Sequence, residues 1–393
     1  MTYLVALSTS AAMHPGPWRR WLPLLAHSGL APGAVRFLGL HPRYQGHQAT
    51  DDYAGIPVAH VAQMHVDGNG HPYTGRRLIG VALQAVLRLA QAGIAARPQY
   101  VLVCKAQPMN GLAALLIQAA TGARIILDVD DDEAASHQVS RPWQRHLLHW
   151  WQRWVPRRAA SISAVSRPLA TLMHETGGQR ICVIPNGLDD AQYVLPTPAE
   201  SGAFRRTHHL PPRYLVYFGN VAHRSHAIDL LLAAQRRRQG GLPLVIAGAG
   251  HDQHLLATHD ASPLLHWIGA VAPAAIPALL AGAVATVDPV RDTPAMRARS
   301  PLKIIESLAQ GVPVLSSAVG DRASTIGQAG LLIPADDAQA LATAMDACPL
   351  PTWDPAQCRA QVQGRHWRQL APAWAAHHRL HADESRTSCT PQR

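Results

Sequence analysis

The chain has 393 residues, long enough for two domains with separate cores, and its 48% hydrophobic and 15% charged content describes a compact globular protein rather than a disordered one. Its formal net charge of +10 points to anionic partners, either phosphates or an anionic membrane surface. Nucleic acid is excluded as a partner, because the sequence holds no zinc-finger spacing, no ribonucleoprotein motif and no long Lys/Arg run.

In chain order, the apolar opening "YLVALS" (Tyr3 to Ser8) reads as a first strand and lacks the basic flank of a signal peptide. "VRFLGL" (Val35 to Leu40), "YVLVCK" (Tyr100 to Lys105), "RIILDV" (Arg124 to Val129) and "SISAVS" (Ser161 to Ser166) follow as strands, with helices expected over Arg76 to Ala92 and Gly111 to Ala120. The second half repeats this rhythm in "YLVYFG", "LPLVIAG", "LLHWIG", "AVATVDPV" and "VPVLSS". Near-continuous apolar strands separated by helices make buried parallel sheets, and two such series make two doubly wound α/β domains. The Pro- and Ser-rich stretch from Tyr193 to Arg206 marks the boundary. The expected division is therefore 1–195, 196–354, a C-terminal helix over 355–381 carrying Trp367 and Trp374, and a frayed tail over 382–393.

Five scattered cysteines (104, 182, 348, 358 and 389) without a CxxC place the chain in a reducing cytosol. No stretch approaches 18 uncharged apolar residues, so no membrane span is expected. "PWRRWLPLL" (Pro17 to Leu25) and "WQRHLLHWWQRWVPRR" (Trp143 to Arg158) mix Trp with Arg. Each reads either as a helix with its Trp residues in the core or as an interfacial helix attached peripherally to an anionic membrane, with Arg153, Arg157 and Arg158 toward the headgroups.

The densest chemistry lies in "SPLKIIESLAQGVPVLSS" (Ser300 to Ser317). Ser300 is a favoured N-cap and Pro301 a favoured first helical residue, so a helix starts just beyond the strand "AVATVDPV". In a doubly wound sheet ligands bind at the carboxyl ends of strands, where a helix N-terminus offers N–H groups and a positive dipole to phosphate. Lys303 adds a full charge in the first turn, and Glu306, on the same face as Leu302 and Lys303, is placed to accept bonds from a ribose diol. The same spacing also fits an exposed i,i+3 ion pair. "LDVDDDE" (Leu127 to Glu133) contains a DxD at Asp128 and Asp130, a pattern able to hold a divalent cation, or to line a cleft through Asp128 or Asp131. "AGAG" (Ala247 to Gly250) is only GxG and carries no nicotinamide site.

Taken in order, "VIPNGLDDAQYV", "YFGNVAHRSHAIDLLLAA", "LPLVIAGAG", "HWIGAV", "SPLKIIESLAQGVPVLSSAVGD" and "AGLLIPADDAQALATAM" resemble the glycosyltransferases of family 4, also called group 1, over most of the chain. The resemblance implies a GT-B fold, with two Rossmann-like domains facing across a cleft and the C-terminal helix packing back on the first. It implies a retaining transfer from a nucleotide-sugar donor, bound by the second domain, to an acceptor that is a glycan, a lipid-linked sugar or a small molecule, without cofactor or metal. Donor-binding residues by the same resemblance are Ser300, Pro301, Leu302, Glu306, Gly219, Asn220, His226 and Ile268, with Gly16 in the loop after strand one; a plain turn explains Gly16 equally well. Lys303, Arg224 and Lys105 are the expected catalytic residues.

The sequence departs from the family in three places. Ala298 stands where the first of two glutamates falls. Asn220 holds the position of an arginine, leaving Arg224 or His226 in place of a lysine. "CKAQPMNG" after strand "YVLVC" offers Lys105, Gln107 and Asn110 but no histidine. The second reading is a degenerate GT-B protein that binds sugar nucleotide or glycan without transfer.

Overall fold

The computed structural model describes residues 2–12, 16–46, 49–136, 142–238, 240–257, 264–349 and 353–380. The chain divides into two units, one from Met1–Pro185 joined by the segment from Trp367 onward, the other Asn186–His366.

Unit 1 is built on eight strands: β1 (Leu4–Leu7), β2 (Val35–His41), β3 (Ala49–Tyr53), β4 (Ile56–Gln63), β5 (Tyr100–Cys104), β6 (Arg124–Val129), β7 (Ser161–Ala164) and β8 (Ile181–Val183). They run in the order β3-β4-β2-β1-β5-β6-β7-β8, all parallel except β3, which pairs antiparallel with β4. β1 and β5 are buried along their whole length, as the unbroken apolar runs require. The β3–β4 hairpin is absent from the sequence reading, since Pro57 interrupts β4 and its two-residue turn, Ala54-Gly55, lacks the usual Asn-Gly. Both turn residues nevertheless take positive φ, and Gly55 N–H donates to Asp52 Oδ1 at 2.8 Å.

Unit 2 holds β9 (Tyr214–Phe218), β10 (Leu244–Ala247), β11 (Leu265–Gly269), β12 (Ala283–Asp288), β13 (Val314–Ser317) and β14 (Gly330–Ile333). Their order is β11-β10-β9-β12-β13-β14, parallel throughout. The order reverses beside β9 and β12, the switch point at which such sheets take ligands.

The change of unit at Asn186 falls earlier than the expected boundary at 195/196. Leu188 is buried with Ile304 and Leu308, and Asn186 Nδ2 donates to Ser300 O at 2.8 Å, so this segment belongs to unit 2. The Pro- and Ser-rich stretch is not a linker but carries a helix, Pro198–Thr207, whose N-cap Thr197 and Glu200 form a capping box.

The expected single helix over 355–381 is two. Pro355–Gln361 stays in unit 2 and Trp367–His378 joins unit 1. The break holds Gly364 and the extended His366, whose Nδ1 lies 2.7 Å from Asp190 Oδ1 and whose ring stacks on Tyr193 at 3.8 Å. The second helix packs back on the first unit as expected, burying Trp367, Ala371 and Trp374 against Leu4, Trp21, Leu22 and Leu25. The tail over 382–393 lies outside the described residues.

Candidate functional site

β9 ends at Phe218 and β12 at Asp288, side by side in the sheet, and the helix Leu302–Ala309 begins just beyond. Lys303, in the first turn of that helix, does not point away from the protein. Its Nζ lies 3.2 Å from Asp288 Oδ1 and 4.3 Å from the centroid of the Tyr217 ring. Arg322 Nε approaches the other oxygen of the same carboxylate at 3.1 Å, and Ser316 Oγ donates to it at 3.2 Å. One buried carboxylate thus faces two buried cations. Burial alone would raise the Asp288 pKa, but Lys303 and Arg322 outweigh it and hold it at about 2. Lys303 moves the other way for its type: burial lowers its pKa, Asp288 opposes that only in part, and Arg322 adds to the lowering.

Two glycines make this packing possible. Gly219 has φ +126, and a Cβ there would sit 3.6 Å from both Nζ and Cε of Lys303. At Gly248 a Cβ would fall 1.9 Å from Gly219 O, so the loops after β9 and β10 abut backbone to backbone. "AGAG" therefore serves close approach between loops.

The other expected residues of unit 2 are distributed around this point. Pro301, not Ser300, is the N-cap; it is extended (φ −72, ψ 122), the helix proper starts at Leu302, and no side chain caps it. Proline's fixed φ fits that extended position as readily as the first helical one. Ser300 contributes its carbonyl, which accepts from Asn186. Glu306 is buried one turn on, and its Oε1 accepts from Gln192 Nε2 at 3.2 Å. Asn220 is exposed, and its carbonyl accepts from Tyr217 Oη at 2.5 Å. Burial first, then the charges of Lys303 and Arg299, push the His226 pKa down to about 3, so its imidazole is neutral near pH 7 and adds no cation. Ile268 is half-buried on β11 against the cluster of Phe218 and Ala247. The side chain of Arg224 lies outside the described ones. Ala298 is buried in the short helix Pro294–Ala298.

Unit 1 has its own polar centre at the carboxyl ends of β5 and β6. Lys105 follows β5 at φ +72, a left-handed conformation costing a non-glycine residue roughly 1 kcal/mol. Its Nζ lies 3.3 Å from Asp130 Oδ1 and 3.5 Å from Glu133 Oε1. Burial would lower the Lys105 pKa, yet Asp130, Glu133 and Asp131 outweigh it and raise it. Gln107 Nε2 donates to Glu133 Oε2 at 2.8 Å, and Thr9 Oγ1 donates to Gln107 Oε1. Asn110 Nδ2 binds the carbonyls of Leu7 and Cys104, tying the ends of β1 and β5 together.

Asp128 plays no part in that centre and lines no cleft. Arg20 Nε and Nη2 donate to its two oxygens at 2.7 and 2.9 Å, Trp21 Nε1 donates at 2.8 Å, and Ser163 Oγ also donates. The carboxylate is fully buried and saturated, which takes it out of any DxD pair with Asp130. Gly16 begins the helical turn at Pro17–Trp21 with φ −60, a conformation open to any residue, so nothing in its backbone requires glycine.

Asp288, Arg322 and Tyr217 were not singled out in the sequence. The one visible signal was an aspartate closing an otherwise apolar strand, "AVATVD", at a carboxyl end where a buried charge needs partners.

The family description "Glycosyl transferases group 1" matches residues 212–348, and "Glycosyl transferase 4-like domain" matches residues 13–187. No curated protein matches in sequence. Among solved structures, sucrose-phosphate synthase from Thermosynechococcus elongatus superposes with a TM-score of 0.76 at 18% identity, covering 96% of this chain and 98% of that one. HepE from Anabaena, solved with UDP and glucose, gives 0.73 at 15% identity over 97% and 100%. An α,α-trehalose-phosphate synthase (UDP-forming) from Burkholderia vietnamiensis gives 0.70 at 10% identity over 97% and 99%.

Proposed function

Since the chain belongs to the group 1 glycosyltransferases and has their GT-B fold, we propose that it transfers a sugar with retention of anomeric configuration from a nucleotide-sugar donor, held by unit 2, to an acceptor hydroxyl taken by unit 1. The observation that carries this reading is Lys303, seated between Asp288 and Tyr217 under Gly219 at an uncapped helix N-terminus. Two cations share one carboxylate there, so a surplus positive charge meets the donor diphosphate.

In this reading the backbone N–H groups from Leu302 onward, after Ser300 and Pro301, donate to the phosphate oxygens. Gly219 and Asn220 bring backbone close to the same group. Neutral His226 donates a hydrogen bond, and Arg224 adds charge from the same loop. Glu306 accepts from the ribose hydroxyls while Gln192 fixes its orientation. Ile268 offers an apolar surface to the base. As the glycosidic bond to the donor breaks, negative charge grows on the departing diphosphate, and Lys303 with the helix N-terminus stabilises it. Lys105 in unit 1 orients acceptor hydroxyls together with Asp130, and Gly16 lies in a loop after β1 that contacts substrate. HepE with UDP and glucose, and a UDP-forming synthase among the similar structures, favour a uridine diphosphate sugar as the first donor to try.

The test is a panel of nucleotide sugars assayed for nucleoside diphosphate release. Acceptor-dependent release supports transfer, and no release with no thermal stabilisation by any donor overturns the reading. Stabilisation without release selects the non-catalytic alternative, which Ala298 in place of a carboxylate favours.

A further inference from the structure

Three helices of unit 1, Gly75–Ala96, Pro108–Thr121 and Pro142–Trp154, each link parallel strands that advance in one direction along the sheet (β4 to β5, β5 to β6, β6 to β7). Right-handed crossovers place all three on the same face. They touch in sequence: a Cβ at Gly93 would lie 2.3 Å from Ile117 Cδ1, and one at Gly111 2.4 Å from Trp151 Cζ2.

Their outer surfaces are apolar where solvent is expected. Ile79, Leu83 and Leu87, one per turn along a stripe, are 54%, 59% and 56% exposed. Leu112 and Leu116 repeat the four-residue spacing on the second helix, and Leu147 and Trp150 (55% exposed), three apart, follow on the third. Contiguous exposed apolar side chains on adjacent elements mark a docking surface. Interleaved with them are the exposed Arg76, Arg77, Arg88 and Arg145, and none of the three helices contains Asp or Glu.

We propose that this three-helix face docks on the surface of an anionic membrane, with the leucines and Trp150 in the headgroup region and the arginines on lipid phosphates. The charge pattern decides the occupant. A second copy meeting the same face would set arginine against arginine with no carboxylate from these helices to relieve it. An anionic leaflet matches both the charge and the apolar stripe.

The helix Gly75–Ala96 is long and apolar enough to cross a membrane by length and composition. It lies along the surface instead, because Ala85, Val86, Leu89, Ala90 and Gly93 are buried.

This face shares Arg145, Leu147 and Trp150 with the second Trp/Arg-rich stretch but not the first, and it adds the helices Gly75–Ala96 and Pro108–Thr121. Arg20, Trp21, Leu22, Leu24 and Leu25 of "PWRRWLPLL" are core residues. In the other stretch Trp151 is buried, Arg157 Nε donates to Thr176 O at 2.9 Å, and Arg158 lies 4.6 Å over the Trp154 ring. Arg153 borders a small cavity with Glu175. The informative arginines are therefore Arg76, Arg88 and Arg145.

The inference does not rest on the transfer reaction, and its readout is independent of it. The full chain is sedimented with vesicles of phosphatidylcholine alone or mixed with phosphatidylglycerol. Binding is expected only to the mixed vesicles and is expected to weaken as salt rises. Arg76→Gln, Arg88→Gln and Arg145→Gln together should weaken it roughly fivefold per residue, about a hundredfold in all. Leu83→Gln with Leu87→Gln should weaken it about tenfold or more while leaving the melting temperature unchanged, since both side chains are exposed. Absence of binding to the mixed vesicles at low salt overturns the proposal. So does wild-type binding by both variants, or a concentration-dependent dimer that Leu83→Gln with Leu87→Gln abolishes, which would give the face to a second copy.

Discussion

The Lys303 ammonium lies 3.2 Å from Asp288 Oδ1, so the charge in the first turn of the helix Leu302–Ala309 is anchored to the end of the strand before it. An isolated lysine at a helix N-terminus opposes the dipole. Here Asp288 offsets that cost and holds the lysine in place. If Lys303 meets the donor diphosphate as proposed, that hold removes most of the side-chain ordering that donor binding would otherwise require.

Asp288→Asn should be among the most destabilising single changes in unit 2. It leaves Lys303 and Arg322 buried without a counter-charge, a loss of about 3–5 kcal/mol by the usual cost of breaking a buried pair. Adding Lys303→Met to Asp288→Asn should recover part of it. Denaturant unfolding of the single and double variants reads this, and equal stability of Asp288→Asn and wild type would show that the pair carries no weight.

Lys303→Ala should separate activity from stability. Asp288 keeps Arg322, so the fold should lose only about 1–2 kcal/mol. Turnover should fall by about a hundredfold, the usual cost of one charge-stabilising donor. Glu306→Ala should instead raise the donor KM by roughly tenfold, with kcat nearly unchanged. Wild-type kinetics in both folded variants would remove these residues from the site.

Acid should loosen unit 1 through His378. Burial lowers its pKa to about 3, so the folded protein holds it neutral while the unfolded chain protonates it near 6.5. Between those values the unfolded state binds the extra proton, so stability falls as pH drops from about 6.5 toward 3. The hydrogen bonds fix the tautomer. Ser163 Oγ gives its proton to Asp128, so it accepts from His378 Nε2–H at 3.1 Å, and Nδ1 accepts from Ser161 Oγ at 2.7 Å. Melting temperatures of His378→Gln should vary less over this range than those of wild type. Parallel curves would place the acid sensitivity elsewhere, His226 being the next group to replace.

Activity should survive EDTA as far as "DVD" is concerned. Asp128 is saturated by Arg20, Trp21 and Ser163, and Asp130 is paired with Lys105. Asp128→Asn should therefore lower stability by about 3 kcal/mol or more and create no change in Mn²⁺ response. Complete loss of turnover in EDTA, restored by Mn²⁺ in wild type but not in Asp130→Asn, would return the pair to a metal role.

The strands that run unbroken through Val, Leu and Ile were legible in sequence because burial on both faces of a parallel sheet leaves no room for polar residues. β3, β4, β8 and β14 were not, since an edge hairpin with Pro57, a three-residue strand and a four-residue edge strand beginning at glycine obey weaker rules. The position of the helix carrying Lys303 and Glu306 was also legible. The direction in which Lys303 points was not, because it depends on Asp288 and Arg322, which neighbour it through β12 and the helix after β13 rather than through local sequence. In the same way "DVDDDE" looks like one acidic cluster, but Asp128 lies inside β6 with its side chain in the core, whereas Asp130 lies past the strand end at Val129 and pairs with Lys105.

The return of Trp367–His378 to unit 1 sets the order in which the units are completed during synthesis. Unit 2 is continuous from Asn186 to His366, so all its strands can pair as soon as they leave the ribosome. Unit 1 is made first but must wait for about 180 further residues, roughly 10–40 s at bacterial and eukaryotic elongation rates, before Trp374 can close over Trp21 and Leu22. During that interval the apolar surface around Trp21, Leu22 and Leu25 that this helix covers is open, and the half translated first is finished last. A chain stopped after His366 should remain protease-sensitive in residues 1–185 while its second half resists, and equal resistance of both halves would show that unit 1 closes without the helix.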